Sequence, residues 1–236
     1  GFVHGVMNTD NMSILGLSID YGPYGWLEDY DHDWTPNTTD SAHKRYRYGT
    51  QPDLILWNLF KLANAIYPLI EEAEPLQDIL SEYQEEVKVA YLEMMKSKLG
   101  LFEINAKDGV LITELERILQ LTETDMTIFF RKLSGFRNAD DALQVISNAF
   151  YKPEELEGKI AEEWSTWFSA YAKRLKLETK SNAERGKAMN LVNPKYVLRN
   201  YMAQLAIDDA DKGNYKLIDE LFQLLKKPYD EQPENE

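Results

Sequence analysis

From Pro52 onward the chain alternates apolar and polar positions with the period of an α-helix. Leu54, Ile55, Trp57, Leu59, Phe60, Leu62, Ala63, Ile66, Leu69 and Ile70 recur at helical spacing. They predict an amphipathic helix with Pro52 in its first turn, where proline costs no hydrogen bond. The acidic run from Glu71 to Glu74, with Pro75, predicts a loop. A second long helix is predicted over 77–99, with Ile79, Leu80, Tyr83, Val87, Ala90, Tyr91 and Met94 inward and Gly100 as its stop. Shorter helices are predicted over 113–121, 125–133 and 139–150. A longer one over 153–176 opens on Pro153 with two glutamates and closes on Lys173, Arg174 and Lys176, matching the helix dipole. Its buried stripe is Ile160, Trp164, Trp167, Phe168, Tyr171 and Leu175. Segments 181–189, 196–210 and 215–225 complete a helical region over 51–226. Residues 227–236, rich in proline and acid, are expected to form a flexible tail.

Residues 1–50 break this pattern. They carry all three histidines and six of the twelve glycines, with many Asp and Asn, the punctuation of loops and turns. Apolar residues at 12, 14, 15, 17 and 19 predict one or two short strands, a small β-hairpin ending at Asp20. The fold class is therefore mainly α, with this hairpin as its β element.

Charge narrows the partners. Lys and Arg number 26 against 40 Asp and Glu, a net charge of −14. That balance argues against a general nucleic-acid binder and against docking on anionic membranes. Hydrophobic residues at 44% exclude a disordered chain. With no cysteine there is no disulfide framework, zinc–thiolate site or thiol nucleophile. A reducing, bacterial cytoplasmic setting is expected, and no signal or transit pattern is seen. Because the chain opens on Gly1-Phe2-Val3, inside an apolar strand-like segment, it is expected to be a fragment of something longer.

The candidate chemistry lies in that first segment. Asp10 and Asn11 stand just before the apolar stretch, and Asp20 just after it, ahead of Gly22. A strand that returns tightly brings its flanking loops together, so Asn11 and Asp20 can offer oxygen to one hard cation such as Mg²⁺, leaving room for phosphate and water. Asp10 can accept a proton from an attacking hydroxyl. Kinase-like sites share this logic, with Asp20-Tyr21-Gly22 in the place of Asp-Phe-Gly and Asn11 seven residues after His4. The position two after His4 is Val6 rather than an acid. The competing interpretation of these residues is a pair of Asx and glycine turns. Two other groups draw notice: Asp31-His32-Asp33 with His4 and His43 as a metal set, and the basic run Lys44-Arg45-Tyr46-Arg47, which either meets phosphate or pairs with nearby acids.

The stretch from Gly1 to Leu17 and the run Ile19-Asp-Tyr-Gly-Pro-Tyr-Gly-Trp-Leu27 closely resemble the selenoprotein O (SelO) family. The likeness continues in Arg45–Tyr48, Gln51-Pro52, Trp57-Asn58-Leu59, the run Asn193–Tyr201, and Lys227-Pro228-Tyr229 with Glu231-Gln232-Pro233. This resemblance implies the helical C-lobe of a protein-kinase-like fold and the transfer of AMP from ATP to hydroxyl side chains of proteins. It implies that Asp10 is the proton acceptor and that Asn11 and Asp20 hold Mg²⁺, with Asp20 also near the nucleotide. It further implies that the family's N-terminal nucleotide lobe, with its phosphate loop and Lys, lies outside this sequence, so that the chain alone turns over little. The other functions weighed are a non-catalytic helical protein-interaction module and a conventional phosphotransferase.

Overall fold

A computed structural model describes residues 1–235; Glu236, the last residue of the expected tail, lies outside the described residues. The chain is mainly helical. Among the described residues the one named sheet has two strands, β1 (Phe2–Val3) and β2 (Gly25–Trp26). Two compact units divide the chain. One holds Phe2–Gly25 and Asp31–Glu93; the other holds Gly1, Trp26–Tyr30 and the described residues from Met94 on.

The first of these units is built on helix α1 (Gln51–Ile70) and most of α2 (Glu74–Leu99). Pro52 sits in the first turn of α1, as its sequence requires. Helix α2 starts three residues earlier than the pattern predicts. Pro75 is its second residue, where the missing N–H breaks no helical bond, so the proline opens the helix instead of preceding it. Along α2 the inward set is thinner than expected: Ile79 and Met94 are exposed, while Met95, Lys96 and Leu99 are buried at its end. The expected strands over residues 12–19 reduce to a single antiparallel bridge between Met12 and Ser18. Gly16, at φ 71°, turns the chain back, and its N–H donates to Ser13 O at 3.0 Å. Ile14, Leu15 and Leu17 are left exposed.

The other unit packs helices α3 (Asp108–Leu119), α4 (Met126–Leu133), α5 (Ala142–Val145), α6 (Gly158–Leu175), α7 (Asn182–Asn190), α8 (Asn200–Ala210) and α9 (Lys216–Leu225). Its core is aromatic. Trp164, Trp167, Phe168 and Tyr171 fall on one face of α6 at i, i+3, i+4 and i+7. Trp164 and Phe168 rings lie 5.6 Å apart, and Phe136 stacks on Phe168 at 5.8 Å. The stripe continues through Arg174 and not Leu175. The Arg174 guanidinium is buried because Asp108 (2.6 and 3.1 Å), Glu178 (2.7 Å) and Glu103 O (2.6 Å) satisfy it. The predicted helix over 153–176 begins only at Gly158, whose φ of 50° and extended Glu157 break it from a short 3-10 turn at Pro153–Glu155. The predicted 139–150 helix splits into α5 and a 3-10 turn at Ser147–Ala149.

Near the end of the chain, Lys195 and Tyr196 N–H groups donate to Pro228 O, which holds residues 195–196 out of α8. Glu231 pairs with Arg131 and Lys195, both at 2.6 Å. No helix among the described residues is long and apolar enough to cross a membrane.

Candidate catalytic loop

The loop that carries Asp10 leaves β1 at His4, which is only 2% exposed. His4 Nε2 lies 2.7 Å from Ile19 O, and Val6 N–H reaches His4 Nδ1 at 3.4 Å. A carbonyl only accepts, so Nε2 is the donor to Ile19 O, while Nδ1 faces the Val6 N–H. One imidazole thus joins the start of the Asp10 loop to the residue before Asp20. Gly5 brings the same segments closer. Its φ is 81°, and a methyl group there would collide with Pro23 O. Asn37 Nδ2 holds the Gly5 carbonyl at 3.1 Å.

Asp10 and Asn11 occupy a 3-10 turn, Thr9–Asn11. Asn11 Nδ2 donates to Val6 O at 2.9 Å, and Asn8 N–H donates to the same oxygen at 2.9 Å. Val6, where an acid is usual in kinase-like loops, therefore serves through its backbone. Since only the amide nitrogen can donate to a carbonyl, the anchoring bond does not use Asn11 Oδ1. Asp10 is exposed and Asn11 half-buried. Asp20 is exposed at φ 58°, a left-handed conformation that Asp tolerates, and Gly22 N–H donates to its carbonyl at 2.8 Å.

The Met12–Ser18 bridge fixes the register between the two loops. Met12 follows Asn11 and Ser18 lies two residues before Asp20, and His4 adds its contact to Ile19 O. The loops are thus brought together at the backbone. No hydrogen bond or ion pair links the side chains of Asp10, Asn11 and Asp20 to one another among the described residues, and none of the three is plugged into the apolar interior. Two oxygen donors, an amide and a carboxylate, fit Mg²⁺, which uses few protein ligands and takes the rest from phosphate and water. A cleft of about 650 Å³ opens beside the loop, lined by Thr9, Met12, Ser13, Trp57, Asn58 and Lys61.

The second metal set does not assemble. No group of three His, Cys, Asp or Glu residues suited to a metal exists among the described residues. His4 spends both nitrogens on backbone, and Asp31 Oδ1 accepts the Asp33 N–H at 2.8 Å in an Asx turn. The basic run is largely occupied: Arg47 pairs with Asp33 at 3.0 Å, and the Arg45 guanidinium lies 4.6 Å from the Trp57 ring centre. Arg199, at the start of α8, pairs with buried Asp125 at 2.7 Å and ties α8 to the N-terminus of α4. Two residues with no role assigned from sequence support the loop. Gln51 and Asn58, both on α1, hydrogen-bond the backbone of the 2–12 segment. Both fall in runs that carry the family resemblance, and Asn58 is a polar amide inside an apolar stripe, but neither signal points to the backbone groups they hold.

Comparison with known proteins shows the family of the chain. The family described as "Protein adenylyltransferase SelO" matches residues 1–226. The chain is 60% identical over 237 residues to "Protein nucleotidyltransferase YdiU" of Flavobacterium johnsoniae, covering 99% of this chain and 45% of that protein. Proteins of the same name from Rhodopirellula baltica and Aromatoleum aromaticum are 51% and 48% identical over 100% of this chain, which covers 46% and 45% of theirs. The chain therefore spans about half the length of these curated relatives.

Proposed function

The chain belongs to the SelO family of protein adenylyltransferases, and from that premise we propose that it is the helical, kinase-like C-lobe of an enzyme that moves AMP from ATP onto Ser, Thr or Tyr hydroxyls of proteins. The acceptor oxygen bonds to the α-phosphorus, the bond from that phosphorus to the β-phosphate bridging oxygen breaks, and pyrophosphate leaves. Asp10 takes the hydroxyl proton. Asn11 Oδ1 and Asp20 would hold Mg²⁺, which when bound offsets phosphate charge.

The observation that carries this reading is the way the two loops are tied. His4 fastens the Asp10 loop to Ile19, and the Asn11 amide is anchored through its nitrogen, so that bond leaves its oxygen unspent, next in sequence to an exposed Asp10. An Asx turn alone has no need of a buried histidine spanning fifteen residues. Transfer of this kind depends on positioning and charge neutralisation. No Gly-x-Gly-x-x-Gly phosphate loop occurs in these 236 residues, so the chain by itself is expected to turn over little.

The test uses the full-length protein with ATP labelled on either the α- or the γ-phosphate. Label from the α position should enter protein hydroxyls and label from the γ position should not. Asp10→Ala should lower transfer by about 10²–10⁴-fold, the usual contribution of a general base, while ATP still binds. Transfer of γ-label would instead mark a conventional phosphotransferase.

A further inference from the structure

Loops that hold reacting groups carry backbone N–H and C=O groups with no strand partner, and something must satisfy them. In the unit built on α1, two side-chain amides do so. Gln51 Nε2 donates to Phe2 O at 3.0 Å, and Gln51 Oε1 accepts the His4 N–H at 3.1 Å. Seven residues on, Asn58 Nδ2 donates to Met7 O at 3.1 Å and lies against Met12 Sδ. Leu54 is buried between them on the same helix face.

The geometry points to Gln51 and Asn58 as positioning residues for the loop that carries Asp10 and Asn11. One amide fixes the loop where it leaves β1. The other fixes Met7 and contacts Met12, the two residues that bracket 8–11. Each acts through the backbone it holds. The inference rests on the roles proposed above for Asp10 and Asn11.

The choice of side chain argues for position over packing. Asn58 is 5% exposed, and its Oδ1 is buried with no hydrogen-bond partner among the described residues. A helix face that only needed filling would be served better by leucine, which has the same branched outline and no orphan acceptor. The amide stands where it costs stability, and what it supplies is the bond to Met7 O.

That contrast sets the experiment, done in the full-length protein. Asn58→Leu should melt within a few degrees of wild type. It should nevertheless lower kcat by about 10–100-fold, as loss of a residue that orients a ligand does, and raise the Mg²⁺ concentration for half-maximal AMP transfer severalfold, with KM for ATP near wild type. Loss of folded protein would scale the rate without moving the Mg²⁺ response. Hydrogen exchange of amides 7–11 should quicken. Gln51→Met should act in the same direction, and it decides the matter should Asn58→Leu fail to fold. Unchanged exchange, or faster exchange with wild-type kcat and Mg²⁺ response, would overturn the proposal. Wild-type protein that transfers no α-label would overturn the functional reading instead, and the exchange of amides 7–11 would then decide the clamp by itself.

Discussion

His4 and Gly5 do most to place the candidate site, and each does so by a property of its own. The imidazole reaches across from one loop to the other because one ring nitrogen donates to Ile19 O while the second faces the Val6 N–H. Gly5 lets Pro23 O approach to a distance that no side chain permits. Gly5→Ala should therefore destabilise the fold by about 1–3 kcal/mol, combining a positive φ with the collision at Pro23. Gly22→Ala, where a methyl meets nothing within 4 Å, should stay within about 0.5 kcal/mol of wild type. Urea unfolding of the two variants checks the pair; equal losses would show that the close approach is not what Gly5 serves. His-Gly, Asp-Asn and Asp-Tyr-Gly were visible in the sequence as an ordered set. That Val6 would work through its carbonyl was not, because no side-chain pattern encodes which backbone oxygen an amide finds.

Helices follow the same division between local and long-range causes. The aromatic stripe of α6 was legible because four large side chains at helical spacing have only one face to bury. Its continuation through Arg174 was hidden, since burial of that guanidinium depends on Asp108 in α3 and Glu178 beyond the helix end. The start of α8 was likewise set by Pro228 O, distant in sequence. At the end of α2, Lys98 shows what such burial does to a charge. Its ammonium donates to Asn193 Oδ1 at 3.0 Å and lies 5.0 Å from the Phe130 ring centre. Burial lowers its pKa from 10.5 to about 8. Between those two values the unfolded chain holds the extra proton, so this group adds stability as pH rises from about 8 to 10.5, and below that window its penalty is present in full. Against Lys98→Met, wild type should gain on the order of 2–3 kcal/mol across the window, measured by denaturant unfolding at a series of pH values so that tyrosine titration cancels. A difference flat with pH would contradict the burial.

Over the whole chain, a net charge of −14 argues against a protein that grips nucleic acid. The chain covers 45% of its Flavobacterium johnsoniae relative, and the exposed apolar residues Ile14, Leu15 and Leu17 sit beside the candidate loop. Those positions have the alternation of a buried strand, which is why the sequence pointed to one. What remains decisive is whether the two loops act on one cation. The direct measurement is transfer of α-labelled AMP by full-length Asp20→Ala over a Mg²⁺ titration. Loss of transfer at every Mg²⁺ concentration, with the protein still folded, is the expected result. Transfer at the wild-type rate with the wild-type Mg²⁺ dependence would contradict it.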